Sequence, residues 1–215
     1  MKLFRAAFVL IVLIALNLSS ARADALCGST VYVQSSAGAH LVGVVLSKYD
    51  TTIEVRWDLR DGLPYRGPSV FLQASQVSVE GNCSDSVCAG DTVYLNSTSG
   101  DHYIGAVRRI FSNGIAEIEW VTINAQPVSL GLRYIEASSL SLPGDCYGGI
   151  CENDEVMGID YDHDIFIGIV KRVFSSGVAE VEWSRKNGNP IRARTSYWRT
   201  HRLTRRTSDC SSAGR

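Results

Sequence analysis

No stretch of this sequence carries apolar residues at helical spacing, and only one apolar run outlasts a β-strand. Strands are therefore left as the building material. Positive charge is not in excess either: 21 basic residues face 22 acidic ones, a formal net charge of −1. A general nucleic-acid or membrane binder would need a basic surplus, so neither partner is expected. His40 and His102 have no second histidine or cysteine at metal-ligand spacing, and no nucleophile-elbow pattern occurs. The sequence gives no grounds for a cofactor and few for catalysis. Asp101-His102 lies in a loop with Ser97 and Ser99, a triad-like juxtaposition.

The long apolar run, residues 6–18, follows Lys2 and Arg5 and precedes Ala21-Arg22-Ala23, a small-x-small cleavage signal. It is too short for a comfortable membrane span, so residues 1–23 read as a removed signal peptide. A lipid anchor on Cys27 is disfavoured, because Leu26 sits where a small residue is wanted. The mature chain is expected to be exported, periplasmic or secreted, with no membrane span. Its six cysteines would then meet an oxidising compartment.

Those cysteines divide the mature chain into three similar segments, 24–83, 84–146 and 147–215. Trp57, Trp120 and Trp183 lie 63 residues apart, as do Pro64, Pro127 and Pro190. A fixed period with matched landmarks marks one structural unit copied three times. Within each copy the period is two. Ile53, Val55 and Trp57 alternate with Glu54 and Arg56, and the pattern recurs at Ala116, Ile118, Trp120 and at Ala179, Val181, Trp183. One face of an antiparallel strand is thereby buried and the other charged. Core packing is the expected role of these tryptophans.

Ser112-Asn113-Gly114 and Ser175-Ser176-Gly177 supply hairpin turns before these strands. One of Arg108 and Arg109, and one of Lys171 and Arg172, should meet a glutamate across its hairpin as a solvated pair. Gly43, Gly105 and Gly168 sit inside the second strand, where glycine marks a bulge or sharp bend.

The repeat favours a disulfide within each copy: Cys27–Cys83, Cys88–Cys146 and Cys151–Cys210. Each would clasp the ends of a unit of about 60 residues that is marginal on its core alone. Closing so long a loop stabilises by about 4 kcal/mol. The rival pairing joins Cys83 to Cys88 and Cys146 to Cys151 across the linkers and leaves Cys27 and Cys210. The linkers themselves, 84–87 and 147–150, suggest a semi-rigid string of beads.

The run GDTVYLNSTSGDHYIGAVRRIFSNGIAEIEW followed by ASSLSLP resembles a Tudor-type, Src-homology-3-like barrel. The resembling features are Gly90-Asp91 before the first strand, Gly105-Ala106-Val107 in the second, the hairpin glycine, and Trp120. The resemblance implies an all-β chain of three tandem five-stranded barrels whose loops bind peptides, modified side chains or glycans. It does not extend to a methyl-lysine cage. The equivalent positions are Ser97, Ile104, Trp120 and Ile123, with one ring among them.

The third copy has diverged in charge. Counting acids and bases over 24–83, 84–146 and 147–215 gives 4 − 6 = −2, 3 − 7 = −4 and 11 − 9 = +2. Residues 185–206 hold eight basic residues and no acid, interleaved with aromatics. Arginine beside aromatics suits phosphate, carboxylate or polyanion recognition. Trp198, Tyr197, Arg192, Arg194, Arg199, His201 and Arg202 are the candidate ligand-binding residues. Trp198, whose equivalents are Leu72 and Ile135, is the expected exposed ring. Asp160, Asp162 and Asp164 have a calcium-like spacing, but Ile165 and Lys171 stand where glycine and glutamate belong. Asn82-Cys83-Ser84 and Asn96-Ser97-Thr98 are glycosylation sequons.

The function expected is that of a monomeric, non-enzymatic binding protein for an envelope or extracellular polymer (glycan, cell-wall peptide) or protein. A structural role in envelope assembly is the alternative, and a hydrolase with a cleft between copies comes third.

Overall fold

The computed structural model describes residues 25–207, so the expected signal peptide and Cys210 lie outside the described residues. The fold is all-β. Its regular elements are strands, apart from three single-turn 3-10 helices at Ala74–Gln76, Ala137–Ser139 and Thr200–Arg202. No helix among the described residues is long and apolar enough to cross a membrane.

Every copy runs the same course. A first strand (Thr30–Gln34, Thr92–Asn96 or Glu155–Ile159) pairs antiparallel with a long second one (His40–Tyr49, His102–Phe111 or Ile165–Phe174). That strand turns back into a third, at Thr52–Arg60, Ile115–Ile123 or Val178–Lys186. A fourth strand lies on the third, and the 3-10 turn then returns the chain to the first. The return is made at Val31 with Val79, Tyr94 with Ser141, and Val156 with Arg205.

The alternation read from sequence sets the faces. Ile53, Val55, Trp57 and their equivalents in the other copies are buried, each group in its own core cluster. The register slips at Val42/Gly43, Ile104/Gly105 and Ile167/Gly168, so the glycines do mark bulges. Their cause is the strand opposite, its backbone as well as its tryptophan: a Cβ on Gly43 would collide with the Arg56 carbonyl oxygen and one on Gly168 with that of Glu182. A Cβ on Gly105 would lie 2.6 Å from the Trp120 ring, and on Gly43 or Gly168 2.8 Å from Trp57 or Trp183.

The cysteine pairing corrects the intramodule expectation. Cys83 bonds to Cys88 and Cys146 to Cys151; Cys27 makes no disulfide among the described residues. Thus Cys27–Cys83, Cys88–Cys146 and Cys151–Cys210 are all replaced. The reason is local. Asp85 and Ser86, like Gly148 and Gly149, take positive φ, the two-residue turn that folds a linker into a tight hairpin. Cys83 then stands directly across from Cys88, and Cys146 from Cys151. Such short loops stabilise by about 2 kcal/mol each in the chain-entropy model, half the figure for long ones. Disulfides of this kind fit an oxidising compartment.

A string of beads is also corrected. The last strand of the first copy continues onto the second strand of the next, pairing Gly81 with Ile110 and Glu80 with Phe111. Pro143 and Gly144 repeat this on Phe174 and Val173. Ser112 seals one junction: its amide donates to the Val79 carbonyl and its hydroxyl accepts from the Val79 amide. Ser175 does the same for Leu142.

Each junction also buries a small core of its own. Phe111, Ile115 and Tyr134 pack on Tyr32, Val42 and Leu59; Phe174, Val178 and Tyr197 pack on Tyr94 and Ile104. Hydrogen-bonded backbone plus buried rings fixes the angle between neighbours, which a free linker would not.

Candidate functional site

The two recurring histidines belong to these junctions. The Tyr32 hydroxyl is hydrogen-bonded to His40 Nδ1 at 2.7 Å, and that of Tyr94 to His102 Nδ1 at 2.6 Å. His40 stacks on Tyr134 with centroids 4.9 Å apart, and His102 on Tyr197 at 4.6 Å. Burial lowers the His102 pKa against the opposing pull of Asp101, and it raises that of Tyr94 to about 12. Both groups are therefore neutral at pH 7. The triad-like grouping does not assemble. Asp101 accepts from Ser99 and Asn124, and the hydroxyls of Ser97 and Ser99 bond each other.

The charged hairpin pairs are of two kinds. Arg108–Glu119 and Lys171–Glu182 are exposed, as expected. Glu117, however, is buried, held by Arg109 at 3.2 Å and by the Tyr134 hydroxyl at 2.9 Å. Desolvation raises its pKa, and Arg109 counteracts in part. The ring that docks on the first copy is what covers it.

Beside the second junction lies a groove of about 270 Å³, lined by Asn96 and His102 from one copy and Asp160, Tyr161, Tyr197, Trp198, Arg199 and Arg202 from the next. The 3-10 turn at Thr200–Arg202 places Arg202 between two rings. Its guanidinium is 4.5 Å from the Tyr161 centroid and 5.2 Å from that of Trp198, and it donates to the Ile159 carbonyl at 3.2 Å. Cation–π contacts on two sides and a carbonyl behind hold it in one orientation. Tyr161 is 88% exposed and free to stack further.

Arg199 donates to the Ser176 carbonyl at 3.1 Å. Neither Arg199 nor Arg202 has a carboxylate within ion-pair distance among the described residues. Lys171, Arg172, Lys186, Arg205 and Arg206 all do. The groove therefore presents two fixed guanidinium groups whose charge is uncompensated at contact range.

Of the candidates from sequence, Tyr197, Trp198, Arg199 and Arg202 converge here. His201 lies in a neighbouring depression with Tyr147 and Thr200. Arg194 turns to the Phe166 ring at 4.9 Å, and Arg192 lines none of this groove. Trp198 is not a freely exposed ring. It is half-buried, edge-on to Trp183 at 5.1 Å, and its indole N–H donates to the Ser196 hydroxyl at 3.0 Å. Tyr161 takes the exposed role that sequence reasoning gave to Trp198. It lies one residue beyond Asp160 in a loop read only for its carboxylates.

Those carboxylates do not gather. Asp160 Oδ1 accepts from the backbone amides of Asp162 and Asp164. Asp164 is committed to Lys186 at 2.5 Å and to Asn187 at 2.6 Å, which pull its pKa down. Asp160, Asp162 and Asp164 form a self-satisfied turn, and among the described residues no cluster of three or more metal-ligating side chains occurs. No protein-family model matches the chain, and no curated protein matches it.

Proposed function

We propose that this is an exported, non-enzymatic binding protein that holds an anionic group of an extracellular or envelope polymer in the groove between its second and third copies. The observation that carries the reading is Arg202, oriented between Tyr161 and Trp198 with no carboxylate partner among the described residues. A guanidinium held in this way accepts carboxylate, sulfate or phosphate without ordering a side chain first. Arg199 adds a second charge to the same rim, and Tyr161 offers a face to a sugar ring or an apolar side chain.

The finer architecture belongs to the same proposal. Each copy is a small Src-homology-3-like barrel. The order of strand pairing and the single 3-10 turn before the returning strand support this. Export through residues 1–23 agrees with the disulfides.

The test is a titration of the mature protein with dextran sulfate and with neutral dextran across a salt series. The sulfated polymer should bind and weaken as salt rises, and the neutral one should not bind. Arg202→Ala should weaken binding at least about tenfold, the scale of one lost charge-assisted contact. Binding that ignores salt, or that Arg202→Ala leaves intact, would refute the assignment.

A further inference from the structure

Repeat proteins stay soluble because their terminal copies present polar outer faces. Among the described residues, the first and third copies instead leave large apolar side chains exposed on the corresponding faces. The residues that dock the second and third copies on their predecessors, Phe111 with Tyr134 and Phe174 with Tyr197, correspond in the first copy to Tyr49 with Phe71. Phe111 and Phe174 are fully buried, whereas Tyr49 and Phe71 are 59% and 62% exposed. Their rings lie side by side with centroids 6.2 Å apart.

The receiving face shows the same asymmetry at the other end. Tyr32, His40 and Val42, then Tyr94, His102 and Ile104, correspond in the third copy to Met157, Ile165 and Ile167. Met157 is 37% and Ile165 40% exposed, whereas Tyr32 and Tyr94 are buried. Met157 and Ile167 line, together with Glu155, Arg185, Arg205 and Arg206, a cavity of about 420 Å³, and the equivalent surfaces of the first two copies are covered by the next copy's phenylalanine. The hydrogen-bonding position is kept in altered form. Asp50 stands where Ser112 and Ser175 do, and Arg205 where Val79 and Leu142 do.

We infer that the chain associates head to tail with a second copy of itself, Tyr49 and Phe71 of one molecule seated on Met157, Ile165 and Ile167 of the next. The contact continues an interface formed twice within the chain, and this is what selects a second copy as the occupant. The first and third copies also carry opposite net charge, −2 over 24–83 and +2 over 147–215. Because the two faces differ, the association is heterologous and extends to open chains unless the rotation closes a ring.

Sedimentation velocity of the mature protein over a concentration series tests this, alongside two surface variants. Tyr49→Ser with Phe71→Ser removes one face, and Met157→Glu with Ile165→Glu removes the other. Tryptophan fluorescence checks that both remain folded. Wild type should form dimers and longer species as concentration rises. Each variant alone should stay monomeric at tenfold higher concentration. An equimolar mixture of the two should give a dimer and nothing larger, since only one intact junction can form. A monomeric wild type throughout the series, or oligomers unchanged by both variants, overturns the inference. Association abolished by Cys27→Ser also overturns it, by assigning the contact to thiol cross-linking.

Discussion

Tyr49, Phe111 and Phe174 hold one position in three copies, yet only the last two are buried. Replacing each by alanine separates what the position costs from what the junction contributes. Phe111→Ala removes a fully buried ring that stacks on Tyr32 with centroids 5.0 Å apart. The lost transfer and cavity terms together come to about 3–5 kcal/mol, the ring pairing being about 1 kcal/mol of this. Tyr49→Ala removes a ring that is solvated in the monomer and, at protein concentrations below self-association, should cost about 0.5 kcal/mol or less. Urea unfolding of the oxidised protein, followed by tryptophan fluorescence and by far-ultraviolet circular dichroism, measures both. Wild type should unfold with its copies coupled. Phe111→Ala should split the transition, because the junction between the first two copies loses its fully buried ring. Equal losses for the two variants, within about 0.5 kcal/mol, would mean that the buried junction adds nothing.

Gly105→Ala would place a methyl group 2.6 Å from the Trp120 ring and 2.7 Å from the Glu119 carbonyl oxygen. Overpacking against backbone costs about 2–3 kcal/mol, read as a lowered midpoint of urea unfolding, whereas Gly81→Ala, which meets nothing within 4 Å, should be near neutral. The second junction should weaken on acidification. The folded pKa of His102 lies below the unfolded 6.5, so as pH falls through that value the unfolded chain takes up a proton that the folded chain refuses. His102→Gln should show a smaller loss of stability than wild type between about pH 7.5 and 5, and identical losses would contradict the assigned direction.

Much of a single copy was legible in the sequence because its determinants are local. Ile118 and Trp120 alternate with Glu117 and Glu119 whatever surrounds them, and the alternation alone names the buried face. Gly105 announces a bulge because no side chain fits beneath the tryptophan opposite. Gly114 and Gly177, at positive φ, mark the hairpins for the same kind of reason. The groove was half legible. Arg199, Arg202, Tyr197 and Trp198 stand out as a basic and aromatic run, but nothing in a strand's own residues says which neighbour will cover it. Tyr161 joins them only because the first loop of the third copy folds toward the 3-10 turn at Thr200–Arg202.

The sequence by itself determined the triplication, from landmarks repeated every 63 residues, and the strand faces and turns, which follow from residue spacing within about ten positions. Tertiary structure alone decided the burial of Glu117 and the stacking of His40 and His102. The cysteine partners were decided locally, by the positive φ of Asp85, Ser86, Gly148 and Gly149 in the linker turns. A tyrosine or histidine suits a wet edge and a dry junction equally well, so only the docking of the next copy tells them apart.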